Sequence, residues 1–139
     1  MDKLTKKQRS FNMSQIKSKN TKPELLIFSL LDSAKINFEK HLPIMGKPDI
    51  AFPEKMTLVF IDGEFWHGKY FKQIEASLQP FWSKKISENI KRDRRVRRKL
   101  RKEGWHVLHF WDKQITKSPE KSFKRIIRFL ENKDIPDRS

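Results

Sequence analysis

The sequence of 139 residues contains no cysteine and only four glycines. The absence of cysteine excludes disulfide bonds and thiolate metal sites, and it fits a reducing cytoplasm. No apolar run approaches the ~20 residues that a membrane span needs, and the polar, basic N-terminus is unlike a secretory signal. These absences predict a cytoplasmic protein that does not enter a membrane.

Acidic residues are scarce, since 17 Asp and Glu stand against 32 Lys and Arg, and the net charge is +15. Such an imbalance indicates a polyanionic partner, most often nucleic acid. A membrane surface is the competing partner, but it would require a basic helix with a broad apolar face. The length suits one modest domain, which we place at residues 21–132, between a basic arm at 1–20 and a flexible C-terminal tail at 133–139.

Two short apolar runs in the middle of the chain predict paired strands. Residues 50–52 form the first, and the β-branched and aromatic run 57–61 is typical of a strand buried on both faces. The connection is short, so we expect an antiparallel hairpin that brings Asp49 beside Asp62. Either acid alone could be an ordinary strand-end turn residue. Two carboxylates at one point need a cation or a proton, and Mg²⁺ is the simplest choice.

Helices and further strands flank this hairpin. Residues 21–34 predict a helix in which Thr21 and Glu24 form a capping box, 80–103 predict the longest helix, and Pro119 opens a last one. Residues 37–42 and 105–111 predict two more strands, and His41 beside the first is interpreted as a surface histidine. The pattern predicts an α/β fold, a central mixed sheet of about four strands flanked by helices.

The longest predicted helix is strongly basic. Residues 84–103 hold eleven Lys or Arg against three acids, which is either a solvated face or a surface for phosphate contacts. Asp93 lies in the middle of the apolar stripe of this helix. A buried acid must be paired, so we predict that Asp93 meets an inward Arg or Lys and fixes the helix against the sheet.

Six motifs follow one another along most of the chain. They occupy residues 12–24, 46–49, 62–68, 81–86, 92–95 and 104–108, with the sequences NMSQIKSKNTKPE, GKPD, DGEFWHG, FWSKKI, RDRR and GWHVL. This ordered set, over about residues 12–112, resembles the very-short-patch repair endonucleases of the restriction-endonuclease-like superfamily, whose signature is Pro-Asp … (Asp/Glu)-x-Lys. The resemblance implies a restriction-endonuclease-like core and a Mg²⁺-dependent endonuclease, with Mn²⁺ as a substitute, that breaks a DNA strand near a thymine–guanine mismatch.

The resemblance also implies roles for individual residues. It places catalytic roles on Asp49, His67, Glu24 and Asp62, with His67 as general base or leaving-group acid. It implies metal ligands at Asp49, at the backbone carbonyl of Ile61, and at Asp62 and Glu64.

The implied DNA contacts lie in the N-terminal arm, in the loop at residues 63–79, which we call the aromatic loop, and in the basic helix. They are Met13, Lys17, Lys19, Phe65, Trp66, Trp82, Lys84, Lys85, Arg92, Arg94 and Arg95. The aromatic side chains would act as wedges or stacking surfaces for bases, although aromatics in a loop also serve as lids over a core. The arm would order on DNA, or else it is a solvated terminus.

The chain departs from the family pattern at Glu64. A lysine is usual there in the superfamily signature, and a zinc-binding cysteine is typical of very-short-patch enzymes. Without thiolate ligands no zinc is expected, so packing or ion pairs, such as Glu64 with a lysine, must hold this region.

Three alternatives stay open. One is a nickase of a restriction, phage-defence or mobile-element system with other target rules. The others are a non-catalytic DNA-binding module and, less favoured, an RNA-binding protein. The implied partner is double-stranded DNA, with or without a mismatch, bound by a monomer that works with mismatch-repair or defence-system proteins.

Overall fold

The structure is a computed structural model that describes residues 20–132. The strands of this part of the chain are β1 (Glu39–Lys40), β2 (Ile50–Phe52), β3 (Thr57–Asp62) and β4 (His106–Trp111). The helices are α1 (Lys22–Ser33), α2 (Phe71–Ile74), α3 (Pro80–Lys102), α4 (Asp112–Lys117) and α5 (Pro119–Leu130). The predicted α/β class, with a four-stranded mixed sheet flanked by helices, is confirmed.

The predicted hairpin forms the centre of the sheet. Strand β2 pairs antiparallel with β3, with Ile50 opposite Val59, and β1 pairs antiparallel with the other edge of β2. A 3₁₀ turn, Pro53–Lys55, connects the two strands of the hairpin, and Met56 closes it in the left-handed conformation with φ of 47°. Strand β4 then pairs parallel with β3, so the carboxyl ends of β3 and β4 lie side by side.

Both faces of the sheet are buried, as the apolar run of β3 predicts. Val59 points into a core formed with α1, α4 and α5. Leu58 and Phe60 point into a second core on the opposite face, where they meet Leu100 of α3. Side chains alternate between the two faces of a strand, so a strand covered on both sides has apolar residues at successive positions, as β3 has at 58–61.

Helices α1 and α3 begin and end close to the predicted residues. Thr21 and Glu24 form the predicted capping box of α1, and Leu25 of the same helix is 51% exposed. Helix α3 begins at Pro80, whose fixed φ suits a first turn, and ends before Gly104, which has φ of 101°. Among helices of the described residues, none combines the length and apolarity needed to cross a bilayer.

Three local predictions were wrong or incomplete. The strand expected at 37–42 is limited to Glu39–Lys40, because only these residues pair with β2. The segment after β4 contains the short helix α4, which was not predicted, and its Ile115 is fully buried in the first core. The loop after β3 contains α2 and a 3₁₀ turn, Glu75–Ser77. The arm at 1–20 and the tail at 133–139 lie almost wholly outside the described residues and stay predictions.

Gly68 fixes the aromatic loop onto α3. Its φ is 74°, and a Cβ at this position would lie 2.4 Å from Cδ1 of Ile90. A side chain would therefore be strained and would collide with the helix. The close approach sets the position of the preceding residue, His67, over the middle of α3.

Candidate active site

Glu24, His41 and Asp49 come together where α1, the end of β1 and the start of β2 meet. Glu24 in the first turn of α1 is 2% exposed, and its Oε1 accepts a hydrogen bond of 2.9 Å from the Thr21 hydroxyl. Its other oxygen, Oε2, lies 3.0 Å from Nε2 of His41. One ligand atom from each of Glu24, His41 and Asp49 lies within 4.8 Å of the others. We call these three residues the first group.

The Asp49 carboxyl is held in a buried and electrostatically unfavourable place. Its Oδ2 accepts a hydrogen bond of 2.6 Å from the backbone N–H of Ile61. Burial raises the pKa of Asp49 from 3.8 to about 7; the Ile61 hydrogen bond opposes this rise, and the charge of Glu24 adds to it. A carboxyl group with such a pKa lacks a sufficient positive partner.

The first group has the donors that a divalent cation requires. Glu24 Oε2 and His41 Nε2 are buried atoms that face each other at the ion-pair distance of 3.0 Å, and neither has a well-formed hydrogen bond among the described residues. Unsatisfied buried polar atoms are costly. An ion bound by Glu24 and Asp49 would satisfy the first atom and offset the repulsion between the two carboxylates, so these residues fit a metal.

Asp62, His67 and Asp93 form a second group at the carboxyl end of β3. His67 Nδ1 lies 2.5 Å from Oδ2 of Asp93, and its Nε2 lies 3.7 Å from Oδ1 of Asp62. Burial lowers the pKa of His67, but the hydrogen bond with Asp93 and the charges of both carboxylates outweigh burial, and the net direction is upward. The imidazole is therefore held in a state that favours its proton.

Asp62 differs from Asp49 because an arginine and a histidine side chain contact its carboxylate. Arg97 of α3 donates a short hydrogen bond to its Oδ2, and Nε2 of His109 lies 2.9 Å from the same oxygen. Burial alone would raise the pKa of Asp62, but the contact with His109 and the neighbouring positive charges outweigh it and lower the pKa to about 2. Asp62 is thus ionised and already paired.

A basic cleft of about 1040 Å³ opens beside the second group. Asp62, His67 and Asp93 line it together with eight cationic side chains. These are Lys69, Lys72, Lys91, Arg94, Arg97, Arg98, Arg101 and Lys102. A cleft with such an excess of positive charge attracts a polyanion, and His67 lines the same cleft.

Comparison with known proteins identifies the family of this chain. A family model described as DNA mismatch endonuclease Vsr matches residues 1–73. The type II nicking enzyme V.NmeDIP of Neisseria meningitidis serogroup C is 43% identical over 122 residues, covering 85% of this chain and 82% of that relative. The chain belongs to the Vsr endonuclease family.

Two further relatives support membership of the Vsr family. The type II nicking enzyme V.HpaIIP of Haemophilus parainfluenzae is 42% identical over 126 residues, covering 87% of this chain and 89% of that relative. The DNA mismatch endonuclease Vsr of Escherichia coli (strain K12) is 35% identical over 114 residues, covering 80% and 71%. The protein is therefore a DNA endonuclease, and the predicted family is confirmed.

The expected acids of this Vsr-family chain are divided between two groups. Asp49 and Glu24 lie in the first group, and Asp62 lies in the second with His67. Asp62 is close enough to raise the pKa of Asp49, but its Oδ2 is engaged by Arg97. This arrangement does not favour Asp62 as a metal ligand.

Glu64 is also engaged elsewhere. It is 6% exposed, and its Oε2 lies 3.0 Å from Nζ of Lys69. The predicted ion pair of Glu64 with a lysine is therefore present, whereas its role in holding this region stays a prediction. Glu64 does not belong to the residues whose ligand atoms converge with Asp49, so its assignment as a metal ligand gains no support. The backbone N–H of Ile61 donates a hydrogen bond to the Asp49 carboxylate. Metal binding by the Ile61 carbonyl stays a prediction.

Asp93 has a different partner from the one expected. It was predicted to meet an inward Arg or Lys, but it pairs with the imidazole of His67 at 2.5 Å, and the Arg92 guanidinium is 3.9 Å from its other oxygen. The prediction failed because the loop fixed by Gly68 brings a histidine to this position. The inward arginine of α3 is Arg97, and it binds Asp62 instead.

The aromatic residues form a packed chain of rings. Trp66 is 7% exposed and Trp82 is 6% exposed, with ring centroids 5.1 Å apart. Asn89 donates a hydrogen bond of 3.0 Å to the Trp66 carbonyl. Both tryptophans are buried, which agrees with the alternative that they cover the core. Phe81, which was not assigned to DNA, is 68% exposed, whereas Phe65 is half-buried.

The cationic residues assigned to DNA on α3 are available to a ligand. Lys84, Lys85, Arg92, Arg94 and Arg95 are all exposed, and Arg94 lines the basic cleft with His67. Met13, Lys17 and Lys19 lie outside the described residues. Sequence reasoning missed His41, Arg97 and His109, which contact the site acids directly.

Proposed function

We propose that this Vsr-family endonuclease uses Mg²⁺ to hydrolyse one strand of double-stranded DNA beside a thymine–guanine mismatch. One observation carries the proposal: the Asp49 carboxyl, whose pKa burial raises to about 7, converges with the buried Glu24 carboxylate, and the charge of the neighbouring His67 acts on it. The names of the relatives, which include nicking enzymes and a mismatch endonuclease, supply the single-strand break and the mismatch as the expected reaction and target.

Asp49 and Glu24 would hold the ion, with the carbonyl of Ile61 as a third oxygen. Oxygen donors are those that Mg²⁺ prefers. When bound, the ion neutralises charge on the scissile phosphate and lowers the pKa of an attacking water. The Ile61 N–H bond to Oδ2 of Asp49 orients the carboxylate, so that Oδ1 is left for the ion.

His67 would act as the acid that protonates the leaving oxygen. Its Nδ1 is engaged by Asp93, so the proton would leave from Nε2. The hydrogen bond with Asp93 and the charge of Asp62 raise the pKa of His67 and so favour its protonated form, which suits an acid better than a base. The Asp93 carboxylate is a positioning residue, since it orients the ring and stabilises its charge.

Helix α3 would supply the affinity for DNA. Its exposed Lys and Arg side chains continue from the basic cleft, and contacts with phosphates release counterions. These contacts bind without reading sequence, so recognition of a mismatch must come from other residues, for which the family assigns the aromatic loop.

The direct test replaces Asp49 by alanine. We expect Asp49→Ala to bind a DNA duplex with unchanged affinity in EDTA, measured by fluorescence anisotropy, and to lose Mg²⁺-dependent cleavage. Asp32→Ala, which removes an exposed acid from α1, is the matched control and should cut normally. Undiminished cleavage by the Asp49 variant would remove the first group as the catalytic centre.

A second candidate function differs in its target. The two relatives that are 43% and 42% identical to this chain are both named type II nicking enzymes, which favours a nickase associated with a restriction system. A panel of matched, T:G-mismatched, otherwise mismatched, branched and single-stranded substrates, with both strands labelled, separates the two. Nicking of the T:G duplex alone supports mismatch repair, and equal nicking of matched duplexes supports the other function.

A further inference from the structure

His41 is the member of the first group that the proposed function leaves without a role. It follows β1, and its backbone N–H donates a hydrogen bond of 3.1 Å to the carbonyl of Asp49. Its side chain is 14% exposed, and Nε2 lies 3.0 Å from Oε2 of Glu24. The sequence between β1 and Asp49 thus places an imidazole beside both carboxylates.

We propose that His41 Nε2 is a protein ligand of the divalent ion held by Glu24 and Asp49, and that this nitrogen makes the site prefer Mn²⁺ to Mg²⁺. The inference rests on the proposed function, because the ion is the one assigned there to Asp49. It adds a nitrogen donor to the oxygen donors of that site, and it adds a preference for Mn²⁺ over Mg²⁺.

The distance between the two unsatisfied atoms fits a shared ion. Glu24 Oε2 and His41 Nε2 are 3.0 Å apart, and neither has a hydrogen-bond partner among residues 20–132. Two adjacent ligands of an octahedral ion, each about 2.1 Å from the metal, are separated by about 3.0 Å. This distance is therefore compatible with one shared ion. Glu24 is almost wholly buried, and a ligand atom of its carboxylate converges with those of His41 and Asp49.

The imidazole is held in place before any ion binds. His41 has φ of 51°, a conformation uncommon for a residue with a side chain. Its ring meets Phe28 of α1 edge to face, with centroids 6.0 Å apart, while its backbone is tied to Asp49. A side chain with few remaining rotamers loses little entropy on coordination.

A nitrogen donor changes which ions the site prefers. Carboxylate and carbonyl oxygens suit Mg²⁺, whereas imidazole suits transition metals, and affinity at a nitrogen–oxygen site rises from Mn²⁺ towards Co²⁺ and Ni²⁺. A site with His41 should therefore bind Mn²⁺ more tightly than Mg²⁺, and the difference should shrink when the imidazole is removed.

The experiment uses Mn²⁺ as the probe and pulsed electron paramagnetic resonance as a readout independent of cleavage. We expect the wild-type protein with Mn²⁺ to show coupling to a histidine nitrogen, and His41→Gln to lack it. We also expect His41→Gln to bind Mn²⁺ at least about tenfold more weakly, the lower end of the loss seen for an outer partner of a ligand, with a smaller change for Mg²⁺.

His106→Gln is the matched control, because His106 packs against Phe129 and lies outside both groups. It should retain the nitrogen coupling and the affinity. If His41→Gln does not fold, the single variants His67→Gln, His106→Gln and His109→Gln still assign the signal, since the chain has only four histidines. Retention of the coupling in all three then identifies His41.

The outcomes separate this inference from the proposed function. If the wild-type protein binds Mn²⁺ and cuts DNA but shows no histidine coupling, His41 is not a ligand and only this inference fails. Coupling that survives in His41→Gln, or that is lost in His67→Gln, also overturns it. If the wild-type protein binds neither Mn²⁺ nor Mg²⁺, with or without a DNA duplex, the metal site of the proposed function fails as well.

Discussion

Asp49 and Asp62 are chemically identical side chains at two ends of one hairpin, yet their surroundings set opposite properties. Burial raises the pKa of Asp49 to about 7 with no sufficient cation to offset it. Asp62 is buried too, but the His109 contact and Arg97 lower its pKa to about 2. Asp49 is the acid suited to hold a metal ion, because the ion would offset the free-energy cost of burying its carboxylate.

We expect Asp49→Asn to stabilise the metal-free protein at neutral and alkaline pH. The folded-state pKa of about 7 exceeds the ordinary 3.8, so the folded protein binds a proton more tightly and loses stability as pH rises from about 4 to 7. Such a shift corresponds to at most about 4 kcal/mol. Urea unfolding in EDTA should show little difference between variant and wild type near pH 4 and a gain of about 2–4 kcal/mol at pH 8.

Asp62→Asn is the matched control, with the opposite sign. Its folded-state pKa of about 2 is below the ordinary 3.8, so its ionised form stabilises the fold above about pH 4, and that contribution is lost as pH falls towards 2. The asparagine variant should therefore be less stable than wild type at pH 8. A loss of stability in Asp49→Asn that does not vary with pH would contradict the assigned environment of Asp49.

Sequence reasoning found the acids of the first group but not its histidine. Asp49 and Glu24 stand at positions with a recognisable local signal, a strand start and a helix cap. His41 is distant from Glu24 in the chain and follows a two-residue strand. Only the register of β1 on β2, with Lys40 opposite Ile50, places His41 next to Asp49, and that pairing was not part of the sequence interpretation.

At the scale of elements, an ion pair fixes helix α3 to the sheet. Asp62 ends β3, Arg97 belongs to the second turn from the end of α3, and the Arg97 guanidinium also lies 4.7 Å from the centroid of the Phe60 ring. The Arg97 guanidinium thus contacts β3 in two ways, by an ion pair with Asp62 and by packing on the ring of Phe60. The sequence analysis expected an acid of the helix, Asp93, to meet an Arg or Lys. In the structure the cation of the pair, Arg97, belongs to the helix, and the acid, Asp62, belongs to the sheet.

We expect Arg97→Ala to destabilise the protein by about 3 kcal/mol, the lower end of the cost of breaking a buried ion pair. His109 remains beside Asp62 at 2.9 Å, which limits the loss. Urea unfolding at pH 7 measures it. Arg98→Ala removes the same charge from an exposed position of the same helix and should stay within about 0.5 kcal/mol of wild type. Equal losses in the two variants would show that the pair does not hold α3.

The elements with strong periodicity or clear stop signals were predictable, and those defined by tertiary contacts were not. Pro80 and Gly104 bracket α3, and the apolar run of β3 indicates a central strand. Helix α4 has only six residues, 112–117, too few for a periodic pattern. The burial of Trp66 depends on its packing against Trp82, which no local pattern specifies.

At the scale of the whole molecule, the excess charge lies on both sides of the sheet. The basic cleft is on the side of α3, and a second basic groove of about 590 Å³ runs between α4 and α5 on the other side. A net charge of +15 attracts DNA to the entire surface. Of these two surfaces, the cleft is the one that lies beside His67. Binding of DNA in the cleft must therefore be distinguished by experiment from general attraction of DNA to the positive charge.

The salt dependence of DNA binding makes that separation. The logarithm of the binding constant falls with the logarithm of salt concentration, with a slope of about −0.9 for each phosphate contacted. We expect Arg94→Gln combined with Arg98→Gln, both in the cleft, to reduce the magnitude of this slope by about 2 in anisotropy titrations. Lys121→Gln combined with Lys124→Gln removes the same charge from the second groove and should leave the slope unchanged. Equal reductions in both double variants would mean that net charge, not the position of α3, determines how DNA approaches the site.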